Sequence, residues 1–425
     1  MHRVHRPVQT RGVPRIESTG PVGLPRNAGC SGPAEPRAAA LAIPAFSGAI
    51  GTDRPRSVVG ERGADHGPPV VTERVEVRGL SLAVHRFGDP GGLPVLALHG
   101  FMDCGHSFRR MAAHLEPRLS VWAPDARGHG ASDWIGAGGY YHFWDYIDDA
   151  ARVLEALGVE RCGLLGHSMG GTVATALAAT YPERFDWLVL LEGMGPPFTE
   201  PLDGPARLRR WRQALRSHGD PGVRRRSRRP VGTVDDAAER VRRWNPRVPA
   251  DHALELAQAL SERWVGPTAF DPNAAGAGAG PSDGPETKTP DASADRSPAA
   301  RHLPAAHDPS ARRREASSGT VPARSELRVW RMDPLHRTPA IKPVIRSELE
   351  SVWSQLRLPV LSLWGAESRF RPDDLAERHR RVSQITVAHL PKAGHNLHHE
   401  QPEAVAAAVQ AWAAGHGPPG PWRRV

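Results

Sequence analysis

From about residue 71 the chain alternates short apolar runs with longer amphipathic stretches, whereas residues 1–70 sustain no apolar period. Residues 74–78 and 80–86 read as short β segments. Residues 94–98 and 121–124 are compact apolar runs closed by turns rich in Gly or Asp, which predicts buried strands. Phe143, Tyr146, Ile147, Ala150, Val153, Leu154 and Leu157 recur at i, i+3, i+4 spacing and predict a helix. A further buried strand at 162–165 runs through Gly166 into a helix of small residues at 169–180, and 187–191 is another strand.

The rhythm breaks after Gly193. Residues 196–265 read as charged helices spaced by Trp211, Trp244 and Trp264. Residues 271–325 are dominated by Ala, Gly, Pro, Ser, Asp and Arg without period, as in a linker unable to bury enough surface to order itself. Strand and helix then alternate again: a strand at 358–363, a helix near 373–381, a strand at 385–390 and a helix at 402–414. Strands alternating with helices predict an α/β fold, a mostly parallel sheet covered on both faces. One sheet interrupted by an insertion explains both halves. The expected organisation is a disordered tail at 1–70, core at 71–195, a helical cap insertion at 196–355 containing a disordered segment at 271–325, and core again at 356–425.

Composition changes this picture little. The 43 Gly and 42 Pro in 425 residues fit long irregular stretches. Three cysteines without C-x-x-C spacing indicate neither a disulfide framework nor a zinc site. No apolar run is long enough to span a bilayer, and no secretory signal is evident, so a cytoplasmic protein is expected. The net charge of +9 is uneven: residues 71–195 carry −5, and the basic surplus lies in the segments around them. The strongest basic run, Arg224-Arg225-Arg226-Ser227-Arg228-Arg229, reads as a solvated loop or an anionic-surface contact. No aromatic residues interleave with it, so nucleic acid is not an expected partner.

The chemistry centres on Gly166-His167-Ser168-Met169-Gly170. An apolar strand precedes this G-x-S-x-G and a small-residue helix follows. A serine nucleophile needs that sharp strand-to-helix turn to raise its Oγ above the sheet. No G-K-[ST] follows a strand, which removes the phosphate-loop reading of the glycines. His395, just past the last strand, is the expected general base, because imidazole titrates near working pH. The spacing H-x-x-H-H-E from His395 to Glu400 matches no zinc-protease pattern, so neither metal nor cofactor is expected. The amides of Phe101, in Leu98-His99-Gly100-Phe101, and of Met169 are candidates for an oxyanion hole.

Leu98-His99-Gly100-Phe101, the stretch Asp125-Ala126-Arg127-Gly128-His129-Gly130-Ala131-Ser132, Gly166-His167-Ser168-Met169-Gly170-Gly171 and Gly394-His395 together resemble the α/β-hydrolase superfamily. More narrowly they resemble serine-hydrolase-like proteins and bacterial cap-bearing esterases, over roughly 71–195 and 356–415. The resemblance implies a serine hydrolase acting on a small acyl substrate through a Ser-acid-His triad. It also implies that the Asp125–Ser132 stretch is structural. One departure concerns the acid: where the family commonly has G-x-x-D after the 358–363 strand, this chain reads Gly365-Ala366-Glu367-Ser368. Glu192, at the end of the 187–191 strand, Glu367 and Asp373 stay open, as does a Ser168–His395 dyad. Two other readings remain: C–C bond cleavage or perhydrolysis by the same residues, and a non-catalytic binding protein that keeps the fold.

Overall fold

The structure, a computed structural model, describes residues 59–61, 70–115, 118–196, 198, 203–218, 220, 224, 228–264, 323–417 and 423–424. Strands β1 (Val59–Glu61), β2 (Val70–Val77), β3 (Leu80–Gly88), β4 (Leu93–Leu98), β5 (Leu119–Pro124), β6 (Cys162–His167) and β7 (Phe185–Leu191) come first. The short pair β8 (Ser261–Arg263) and β9 (Arg328–Trp330) precedes β10 (Val360–Gly365), β11 (Ile385–Leu390) and β12 (Arg423–Arg424). Ten strands form one sheet in the order β1-β2-β3-β5-β4-β6-β7-β10-β11-β12. From β5 to β11 neighbouring strands run parallel, and antiparallel strands close both edges. This is the mostly parallel α/β sheet that the alternating pattern predicts, in the α/β-hydrolase arrangement that the motif resemblance implies.

The helices are α1 (Arg109–Ala113), α2 (Asp145–Ala156), α3 (Met169–Thr180), α4 (Gly204–His218), α5 (Val234–Trp244), α6 (Ala250–Leu260), α7 (Arg346–Gln355), α8 (Leu375–Arg380), α9 (Leu397–Glu400) and α10 (Pro402–Ala413). Two apolar clusters sandwich the sheet. One joins Phe108, Met111, Leu397, Val405 and Val409 to β4, β5, β7, β10 and β11. The other joins Tyr146, Leu154, Val173, Leu177, Leu349 and Trp353 to the opposite face. Helix α3 is buried nearly all round, which explains why Ala, Gly and Thr fill it: larger side chains would hold it off the sheet.

Two boundaries are corrected. Most of the expected tail lies outside the described residues, but β1 pairs antiparallel with β2, Glu61 opposite Val70, so the sheet begins before residue 71. Helix α7 falls within the expected insertion, yet Leu349 and Trp353 pack into the sheet cluster, so the inserted part ends before it. Most of the expected linker at 271–325 lies outside the described residues. Its flanks are held together, with the Trp264 amide donating to Leu327 O at 2.7 Å.

The inserted segment has a small core of its own. Val231, Ala237, Val241, Val248, Ala253 and Leu256 pack together, with Trp330 against them. Thr233 starts α5 with a reciprocal cap: its hydroxyl accepts from the Asp236 amide, and the Asp236 carboxylate accepts from the Thr233 amide at 2.7 Å. Several contacts fasten this segment to helices α1 and α9. Arg110 grips Glu255 with two hydrogen bonds of 2.8 and 2.7 Å, and His252 Nδ1 lies 3.0 Å from His399 O.

Arg224 carries the largest correction. The basic run is no solvated loop at that position: Arg224 is fully buried, paired with Asp333 at 2.8 Å, and donates to Ile135 O at 2.6 Å. Arg228 pairs with Glu262 in the same segment. The Asp125–Ser132 stretch is structural in the described residues. The Asp125 carboxylate accepts from the Gly105 and Ala131 amides, each at 2.7 Å, and Ser132 Oγ accepts from the Ala83 amide at 2.9 Å.

Candidate active site

Parallel register brings three strand ends together. His167 lies opposite Leu191, and Leu191 opposite Leu363, so the residues that follow β6, β7 and β10 meet at the carboxyl edge of the sheet. Ligands bind outside this edge in open α/β sheets.

Ser168 occupies the turn from β6 to α3 with φ 50° and ψ −112°, a conformation that a non-glycine residue adopts only when its surroundings enforce it. The enforcement is close packing. A Cβ on Gly166 would stand 2.6 Å from Gly170 O, and one on Gly170 would stand 2.1 Å from Leu98 O. Both glycines are therefore dictated by the backbone approach that makes the elbow.

His395 Nε2 stands 3.0 Å from Ser168 Oγ, and its Nδ1 stands 2.6 Å from Glu192 Oε2. The Glu192 side chain is fully buried, and its backbone also has positive φ, 53°. Its carboxylate accepts from the Gly365 amide at 2.7 Å and from the Ser368 hydroxyl at 2.6 Å. Ser368, which stands where the resembling family commonly has its aspartate, here holds the glutamate in place. No signal in the sequence alone points to that role.

Glu367 and Asp373 are not brought to the histidine. Glu367 is half exposed and its carboxylate pairs with Arg247 of the inserted segment. Its amide donates to Ala393 O at 2.9 Å, a turn that directs the neighbouring Ser368, rather than Glu367, to the buried side. Asp373 is exposed.

Phe101 and Met169 line one cavity of about 260 Å³, together with Tyr140, Tyr141, Trp211 and His336. The turn carrying Phe101 runs beside the serine: a Cβ on Gly100 would be 3.4 Å from Ser168 Cβ. Met169 is the first residue of α3, so its amide has no partner within the helix. Of the tryptophans that space the 196–265 segment, Trp211 reaches the cavity. Trp244 instead packs on Trp330, ring centres 5.5 Å apart, and Met332 pairs with His129 outside the cavity lining.

Tyr141 and His336 were not singled out by the sequence. They stack at 3.7 Å, and Tyr141 donates to Asp333 at 2.9 Å. Burial pushes His336 down to about 3, so it stays neutral, and pushes the Tyr141 phenol up, with Asp333 adding to the effect. The cavity wall is thus aromatic and uncharged there. Among the described residues no helix is long and apolar enough to cross a membrane.

A family model for the alpha/beta hydrolase fold matches residues 94–251. A "Serine hydrolase-like protein" of Danio rerio is 36% identical over 174 residues, 40% of this chain and 53% of that protein. The 2-hydroxymuconate semialdehyde hydrolase of Pseudomonas sp. (strain CF600) is 33% identical over 145 residues, 33% of this chain and 50% of that protein. The chain thus spans about half the length of these curated relatives. A hypothetical protein of Pseudomonas aeruginosa PAO1 superposes with a TM-score of 0.59 at 26% identity, covering 81% of this chain and 99% of that one. With its sheet order, its strand-end elbow and its similarity to hydrolases, the chain has the α/β-hydrolase fold.

Proposed function

We propose that the protein is a serine hydrolase that cleaves a small carboxylic ester or related acyl compound. The observation that carries this reading is the unbroken chain Ser168 Oγ, His395, Glu192, with links of 3.0 and 2.6 Å. Ser168 attacks the acyl carbonyl while His395 Nε2 takes its proton. Glu192 fixes the imidazole tautomer with hydrogen on Nδ1 and stabilises the imidazolium that forms. The amides of Phe101 and Met169 receive the oxyanion, aided by the positive end of α3. His395 then returns the proton to the departing alcohol, and water, activated by the same imidazole, hydrolyses the acyl-enzyme.

The inserted segment acts as a cap, contributing Trp211 and His336 to the cavity. An uncharged aromatic wall favours an apolar acyl or alcohol group. The test is fluorophosphonate labelling beside p-nitrophenyl ester turnover. Ser168→Ala should lose both while its circular dichroism stays native, and undiminished labelling of that variant would end the proposal.

A second reading has one observation in its favour, the similarity to a 2-hydroxymuconate semialdehyde hydrolase. In it the same residues cleave a C–C bond. Turnover of a β-diketone at a higher kcat/KM than any p-nitrophenyl ester would favour that reading.

A further inference from the structure

Directly behind the candidate triad lies a buried group of polar side chains for which the hydrolase reading has no use. Asp103 follows β4, His167 ends β6, and His398 sits on α9 just after His395. They are 7, 2 and 0% exposed. One ligand atom from each lies within 4.8 Å of the others. We propose that Asp103, His167 and His398 form a site for one divalent transition-metal ion of the zinc class.

Unmet polarity carries the argument. Asp103 Oδ1 accepts from the Cys104 amide at 2.9 Å, but Oδ2 has no hydrogen-bond partner. The ring nitrogens His398 Nε2 and His399 Nε2 approach it only to 3.7 and 3.5 Å, too far for good hydrogen bonds. Both ring nitrogens of His398 are likewise unpartnered, as is Nδ1 of His167. Buried polar atoms without partners are costly, and one or more on each of three neighbouring side chains call for a shared partner. A cation satisfies a carboxylate oxygen and imidazole lone pairs at once; a water has too few protons to do so.

The protonation states suit a metal. Burial drives His398 down to about 3 and His167 well below its ordinary value, so both offer lone pairs. Burial alone would raise Asp103, yet its carboxyl is held well below its ordinary value, with the neighbouring His399 the largest lowering influence. His167 also has the second hydrogen bond usual for a ligating imidazole: its Nε2 donates to His395 O at 3.0 Å, which leaves Nδ1 as the basic nitrogen. Two imidazoles and one carboxylate select zinc-like ions over Ca²⁺ or Mg²⁺, which prefer all-oxygen shells. A tetrahedral ion about 2.0–2.1 Å from each donor needs donors roughly 3.4 Å apart, so side-chain rotation of about an ångström closes the set.

The sequence offered only His395, His398, His399 and Glu400 as a local spacing, which matches no zinc motif. The cluster uses one of those four and draws its other members from two distant strand ends. An ion here would tie together the turn after β4, the end of β6 and α9 at the carboxyl edge, one side chain away from His395.

The experiment is calorimetric titration of chelator-treated full-length protein with Zn²⁺, then Co²⁺ with its visible absorption recorded. Ca²⁺ and Mg²⁺ serve as comparison ions. Expected are one Zn²⁺ per chain, a raised Tm, and affinity lowered at least about tenfold in Asp103→Asn and in His398→Gln. The exposed His114→Gln should bind like wild type. Absence of Zn²⁺ uptake, or uptake undiminished in both variants, overturns the proposal. If the variants do not fold, X-ray absorption of zinc-loaded wild type decides. Two imidazole scatterers at about 2.0 Å support the site, and fewer than two refute it. None of these readouts requires the protein to be a hydrolase.

Discussion

Ser368 is the residue on which the triad assignment turns. Its hydroxyl and the Gly365 amide hold the buried Glu192 carboxylate, so a serine sits where a relative would have the acid. If Glu192 orients His395, Glu192→Gln keeps the shape but leaves the imidazolium uncompensated. An acid of this kind is worth up to about 10⁴-fold in kcat, roughly 5 kcal/mol of barrier. Glu367→Gln, whose carboxylate is engaged with Arg247 at the surface, should change kcat less than about tenfold. The opposite ranking, in variants that circular dichroism shows folded, would move the acid to the turn after β10. Ser368→Ala removes a hydrogen bond to a buried charge, worth about 1.5–3 kcal/mol. It should lower both the urea midpoint and kcat, while KM for a small ester stays within about threefold; an unchanged midpoint would mean the contact contributes nothing.

At the scale of elements, the inserted segment is held by pairs that the sheet itself does not need. Arg224 and Asp333 form a fully buried ion pair, and Asp333 also accepts from Tyr141. Replacing Arg224 alone strands a buried carboxylate, a loss of about 3–5 kcal/mol in comparable sites. Arg224→Met is therefore expected to shift urea unfolding markedly and to raise KM, since Tyr141 and His336 line the cavity. Equal midpoints for variant and wild type would refute the clamp. The flanks of the residues between 264 and 323 are hydrogen-bonded to one another, Trp264 to Leu327. Replacing 268–320 by a short Gly/Ser linker should then leave unfolding free energy within about 1 kcal/mol and esterase activity intact, because loop closure depends only weakly on length. An insoluble or inactive product would show that the segment has a structural part to play.

The whole molecule is dense in buried histidine, and this sets its response to acid. Burial holds His106 and His379 at about 4, and His252, His336 and His398 at about 3. Each is depressed below the unfolded value of 6.5, so the unfolded chain binds more protons throughout that interval. Stability is fully present above about pH 6.5 and is lost as pH falls toward 4, by up to about 1.4 kcal/mol per pH unit for each imidazole. Asp103 and Asp125, also held below their ordinary values, extend the loss to lower pH with the same sign. Urea unfolding at pH 7.5, 6.0 and 5.0 should show a steep decline, and a flat or rising profile would contradict it.

What was legible in the sequence is what a few neighbouring residues encode. The strand-helix rhythm fixes the fold class, because periods of 2 and 3.6 are local. Gly166 and Gly170 announce the elbow because the turn around Ser168 tolerates no larger side chain. His395 was readable as a candidate base from its place after the strand at 385–390. Which carboxylate meets His395 stayed open among Glu192, Glu367 and Asp373, because that depends on the parallel register of β7 against β10 and on a hydrogen bond between residues 173 positions apart. The same holds for Arg224, a member of a charged run until the fold buries it against Asp333, and for Asp103, His167 and His398, which are scattered until a turn, a strand end and a helix converge. Local periodicity and turn sterics are written along the chain. Which polar groups meet in the dark between strands is decided by packing, since only burial sets the cost that makes a partner necessary.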